Sequence, residues 1–124
     1  MHHIEVDPGK NRLLIRIWGS AGVEDVRRAE ANLTAALTKL RPGFDCISNI
    51  SEMKPAAPEV AEEVTRVQAM VIKAGLGRAV RVVGSKLAAM QYARTAGSAG
   101  SKAPEVATES EAHALLDRAP AEPR

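Results

Sequence analysis

Few residues of this chain carry chemistry, and those that do stand apart. Gly84-Ser85-Lys86 follows an apolar run and opens a helical pattern. Free backbone N–H groups at such a junction can hold an anion. The upstream glycines of a phosphate loop are missing, so a nucleotide triphosphate site is not expected, and Ser85 has the position of a helix N-cap. Ser51 ends another apolar run, where a serine usually hydrogen-bonds locally. His113 stands four residues after Glu109, but a general base needs a positioned partner and a pocket. Cys46 is the single cysteine and sits in an apolar strand pattern, so it reads as a buried small hydrophobe rather than a reactive thiol. His2 and His3 have no cluster of Cys, His or carboxylate around them that would complete a metal site. No nucleophile, base and orienting acid assemble at one strand end. No catalytic residue, metal or cofactor is therefore assigned, and the chain is not expected to be an enzyme.

The elements that must position these residues can be read from periodicity. His3–Asp7 alternates apolar and polar, and Leu13–Trp18 is a β-rich run; Asp7-Pro8-Gly9-Lys10-Asn11 between them is turn chemistry, which predicts a hairpin. Val26, Ala29, Leu33, Ala36, Leu37 and Leu40 fall on one face of a helix over about 23–40, stopped by Arg41-Pro42-Gly43. Phe44–Ile50 reads as a third strand. A second helix starts at Pro58, a favoured first helical residue, buries Val60, Val64, Val67 and Val71, and ends at Gly75. Arg78–Val83 is nearly continuous in apolar residues, as expected inside a parallel sheet. A third helix runs from Ser85 to about Ala96 with Leu87, Met90 and Tyr92 or Ala93 on its apolar side, followed by a flexible link over Gly97–Ser101. A weak edge strand around Val106 and a last short helix, capped through Thr108 and Glu111, complete the order. Residues 1–118 form one domain, and 119–124, with two prolines, should fray.

Strand–helix alternation argues for a largely parallel sheet with right-handed crossovers and an antiparallel edge. In such sheets working groups collect beyond the carboxyl ends of the strands. Here that place is Ser51-Glu52-Met53-Lys54-Pro55-Ala56-Ala57-Pro58, whose last four residues offer no hydroxyl, carboxylate or imidazole. Met53 is either an exposed contact or a plug over the sheet end; Trp18 covers the core by default, with a contact role as the alternative.

The 124 residues suit a single core. One Trp, one Tyr and one Phe leave almost no stacking platform, so no nucleic-acid partner is expected. The net charge of +2 is uneven: Val64–Pro104 has no acidic residue and seven bases, from Arg66 to Lys102. They are widely spaced, which favours scattered solvated side chains over one anion-binding face. No apolar run approaches membrane-spanning length, and no basic-then-apolar leader opens the chain. With a lone cysteine, this points to a reducing cytoplasm.

The pattern resembles the STAS domain, the fold of the anti-sigma factor antagonists, and more specifically its SpoIIAA-like branch. The resemblance spans about Ile4–Leu116. It rests on the opening hairpin, the strand Phe44–Ile50 with Ser51-Glu52-Met53, the segment Gly75–Gly84, Thr95-Ala96-Gly97, and Glu109–Leu116. It implies a single-domain α/β fold with about four helices and a regulatory protein of anti-sigma or kinase-like type as partner. Regulated members carry Asp-Ser-Ser/Thr-Gly after the third strand, with the first hydroxyl phosphorylated. Pro55-Ala56-Ala57-Pro58 stands here instead, and alanine cannot accept phosphate. The leading expectation is a non-enzymatic interaction module without the phosphoserine switch, recognising its partner through Ser51–Pro58, the start of the second helix and the neighbouring Gly84-Ser85-Lys86 turn, which also serves as a weak anion site. The alternative is a binding protein for an anionic lipid or metabolite, which requires a sizeable apolar cleft. Alanine-rich helix surfaces leave a homodimer open.

Overall fold

The computed structural model describes residues 1–118; the tail expected to fray, 119–124, lies outside the described residues. The elements follow the order β1 (His2–Asp7), β2 (Arg12–Gly19), α1 (Val23–Leu37), β3 (Asp45–Met53), α2 (Pro58–Lys73), β4 (Ala79–Val82), α3 (Lys86–Ala99), β5 (Glu105–Val106) and α4 (Glu109–Arg118). The five strands lie in sequence order, β1-β2-β3-β4-β5. β1 and β2 are antiparallel, and every later pair is parallel.

The hairpin is set by side chains of its turn. Asp7 Oδ1 accepts the Lys10 N–H at 3.1 Å, and Asn11, with φ of 54°, takes the left-handed conformation that asparagine tolerates. The amide of Asn11 also holds the chain after α1: its Oδ1 accepts from Arg41 N at 2.8 Å and its Nδ2 donates to Arg41 O at 3.1 Å. α2 starts at Pro58 and stops where Gly75 turns left-handed, with φ of 115°. A side chain at Gly75 would also strike the Pro42 backbone at 2.8 Å, so this stop tolerates only glycine.

Alternation along the strands divides the sheet into two faces. On one, Leu13, Ile15 and Cys46 meet Val26 and Leu33 of α1 and Val60, Val67 and Val71 of α2. On the other, Leu14, Ile47, Val80 and Val82 meet Ala112 and Leu116 of α4. Leu13 and Ile47 are wholly buried, each stabilising the fold by about 2 kcal/mol from apolar area alone.

The elements differ from the sequence reading in α1 and α3, and β3 runs past Ile50 to Met53. α1 ends at Leu37 rather than near 40, because Thr38, Lys39 and Leu40 close into tighter turns onto Ala35, Ala36 and Leu37. α3 runs to Ala99: Gly97 and Ser98 are helical, and the stop is Gly100, left-handed at φ of 102°, with the Ser101 N–H returning to Ala96 O at 2.8 Å. The helix therefore includes most of the segment expected to be flexible. Of the expected apolar side only Tyr92 is buried. Leu87 and Met90 are 64% and 62% exposed, while Ala88, Ala89, Tyr92, Thr95 and Ala96 are buried. Small residues let α3 lie close against α2, which turns its two largest aliphatic side chains outward.

Candidate functional site

The segment Ser51–Pro58 is half strand and half loop. β3 continues past Ile50 to Met53, so Ser51, Glu52 and Met53 are strand residues, with Trp18 opposite Glu52 and Gly19 opposite Met53 beyond a bulge. Ser51 is tied locally, as expected: its N–H and its hydroxyl both donate to Asn49 Oδ1, at 3.1 and 2.7 Å. The Lys54 N–H donates to Gly19 O at 3.1 Å. Ala57 is the N-cap of α2 and supplies no side-chain hydrogen bond; Glu59 is in the first turn, where its charge complements the helix dipole.

The second sequence candidate adjoins the first. A Cβ at Gly84 would sit 2.3 Å from the Ser51 carbonyl oxygen, so the two backbones are in direct contact. Ser85 caps α3, its Oγ accepting the Ala88 N–H at 3.2 Å. Gln91, in the second turn of α3, clamps the loop: its Oε1 accepts from Ala56 N and its Nε2 donates to Ala56 O, both at 2.7 Å. Ser51–Pro58 and Gly84-Ser85-Lys86 thus form one connected surface, with Leu87 and Met90 exposed on the helix that follows.

Beneath this surface lies a cavity of about 130 Å3 between the sheet and α1, α2 and α3. Its walls are chiefly aliphatic, among them Ile15, Ile17, Val64 and Val67. Met53, at the end of β3, and Ala56, in the loop, both reach it, which places Met53 over the sheet end rather than in solvent. One end is polar. Parallel register places Ile15, Ser48 and Arg81 in one row across the sheet, and Tyr92 and Gln68 close over that row from α3 and α2. The Tyr92 hydroxyl donates to Ser48 Oγ at 3.3 Å, and its ring lies 5.7 Å from the Arg81 guanidinium carbon. Burial pushes the Tyr92 phenol upward. Cys46 also lines the cavity; burial raises its thiol to about 11, as befits the inert cysteine that the sequence implied.

The opposite face carries an ion-pair layer beneath α4. Arg16 donates to both oxygens of Glu109, at 2.8 and 2.9 Å, and Asn49 Nδ2 donates to Glu109 Oε2 at 2.5 Å. The Arg16 guanidinium holds the Glu109 carboxyl down at about 2. Buried Arg12 meets Asp117 at 2.9 Å and Asp45 at 3.6 Å, and donates to His113 Nδ1 at 3.0 Å. Arg78 donates to both oxygens of Asp45 at 3.1 Å. His113 is thus tied to a guanidinium on the sheet. Among the described residues no group of His, Cys, Asp and Glu is placed to hold a metal, and no helix is long and apolar enough to cross a membrane.

The bases between Val64 and Pro104 do not make one face. Arg66 bridges to Glu30 and Glu63, Arg78 to Asp45, and Arg81 points inward. Sequence reasoning missed the polar end of the cavity, namely Arg81, Tyr92, Gln68 and Ser48. The available signal was Arg81 itself, the one charged residue inside the run Ala79–Val83.

No family model and no curated relative matches the sequence. Among solved structures, the chain is similar to an uncharacterized protein of the DUF3478 family with a SpoIIAA-like fold from Shewanella loihica PV-4. The TM-score is 0.71 at 15% identity, with 93% of each chain covered. It is also similar to the anti-sigma factor antagonist SpoIIAA in its unphosphorylated form, with a TM-score of 0.66 at 16% identity, covering 96% of this chain and 98% of that one. The protein therefore has the SpoIIAA-like fold, the α/β architecture expected from its sequence pattern.

Proposed function

We propose that this protein is a non-enzymatic interaction module of bacterial regulation. It docks a regulatory protein of anti-sigma or kinase-like type through Ser51–Pro58 and Gly84-Ser85-Lys86, without a phosphoserine switch. The observation that carries this reading is the mechanical union of the two segments. Gly84 rests on the Ser51 backbone, Gln91 grips Ala56, and Leu87 and Met90 stand in solvent on the same helix. A preorganised backbone flanked by exposed aliphatic side chains suits protein recognition, because little ordering entropy is lost on docking. The likeness to an anti-sigma factor antagonist supports a partner of that class. Pro55-Ala56-Ala57-Pro58 at the start of α2 supports control by something other than phosphate on this turn.

The test compares the wild-type chain with Leu87→Glu and Met90→Glu as bait in the native extract, with retained proteins identified by mass. The reading expects a regulator of that class on the wild type and its loss from both variants. Equal retention by all three would remove the docking surface. A phosphate found on Ser51–Pro58 by intact mass and fragmentation, after incubation with the retained kinase, would remove the switchless mode.

A further inference from the structure

The polar end of the cavity holds a charge without a counter-charge. Arg81 is 5% exposed and brings a guanidinium into the interior. Arg12, equally buried, meets two aspartates. Arg81 forms no ion pair among the described residues and leans only on the face of Tyr92. Glu105 lies opposite it in register but is exposed and makes no bridge to it. Gln68 adds a second anomaly at the same place. Both polar atoms of its amide are buried and make no hydrogen bond of good geometry; the side chain reaches the Tyr92 hydroxyl only closely enough to draw that phenol downward against the effect of burial. Buried polar groups are nearly always satisfied, and a buried cation is disfavoured unless paired. A guanidinium without a counter-charge and an unbonded amide, both lining one apolar cavity, describe a site shaped for something else.

We propose that this cavity binds a small organic monocarboxylate, its carboxylate on Arg81 and Gln68 and its apolar tail between the sheet and α2. The guanidinium fork matches a carboxylate with two parallel hydrogen bonds, and Gln68 Nε2 supplies a third donor. The tail meets aliphatic walls such as Ile15, Val64 and Val67. A volume of about 130 Å3 takes a group near the size of benzene, since a cavity of about 150 Å3 with similar walls binds benzene itself. A bare inorganic anion would leave this space empty, and a neutral tail would leave Arg81 unpaired. The reading is independent of the docking surface above, and either can fail alone.

The experiment titrates the purified protein with hexanoate, octanoate and phenylacetate, each against its matching alcohol and against inorganic phosphate, followed by backbone amide shifts. The acids should bind about tenfold or more tightly than their alcohols, as a charge-assisted hydrogen bond implies, with shifts centred on Arg81, Gln68 and Tyr92. Arg81→Met should keep the fold by circular dichroism and bind acid and alcohol alike, while Arg81→Lys keeps part of the preference. Glu105→Gln should leave the preference intact. No acid binding, equal binding of acid and alcohol by the wild type, phosphate binding as tight as the acids, or an undiminished preference in Arg81→Met would each overturn the site.

Discussion

Gly84 lies against the carbonyl of Ser51 so closely that a methyl group on it would stand 2.3 Å from that oxygen. The obstacle is backbone, so no rotamer change can relieve it. Gly84→Ala must push β3 away from the turn that leads into α3. We expect a loss of about 1–3 kcal/mol, the range for forced overpacking, read as a lower urea midpoint. The same displacement should loosen the Gln91 grip on Ala56, so amide exchange at Ala56 should quicken by more than the global loss explains. A variant as stable as the wild type would show that this contact does not fix the two segments together.

The thiol of Cys46 offers a second check, because its inertness follows from burial rather than from chemistry. It is 4% exposed and its thiol is raised to about 11, so little thiolate forms at pH 8 and a reagent has little access. Ellman's reagent should modify the native protein slowly at pH 8, and at once in denaturant. In dilute urea the rate should follow the population of the unfolded state. Rapid modification of the folded protein would place the thiol at the surface and would revise the packing of β3 against α1 and α2.

Much of this was legible in the sequence where local rules and burial agree. The hairpin turn, the Pro58 start, the Gly75 stop and the Ser85 cap each depend on one residue type that favours one backbone conformation. The α2 stripe of Val60, Val67 and Val71 was legible because only one face of that helix is apolar. α3 was not, since Ala88, Ala89 and Ala96 carry too little apolar weight to outvote Leu87 and Met90 in a periodicity argument. Close helix approach decides there, and approach is a tertiary fact. The polar end of the cavity was hidden for a related reason. Ser48, Gln68, Arg81 and Tyr92 come from four elements, and only the strand register and the packing of α2 and α3 bring them together.

The ion pair of Arg16 and Glu109 predicts how the protein responds to acid. Arg16 holds the folded-state carboxyl of Glu109 at about 2, against an ordinary 4.5. A carboxyl held down in the folded state stabilises the fold fully above its unfolded value. That contribution fades as pH falls from about 4.5 to about 2, where both states become protonated. Arg16 is more than a third exposed, so solvent screening reduces the contribution to about 1–2 kcal/mol at pH 7. Glu109→Gln should therefore be less stable than the wild type by about that amount at pH 7. The gap should narrow at pH 3, and high salt should shrink it further. Urea midpoints of both proteins across pH 2.5–7 measure it. A gap that stayed constant across this range would mean that the Glu109 charge does not brace α4 against the sheet, and that its hydrogen bond to Asn49 does so instead.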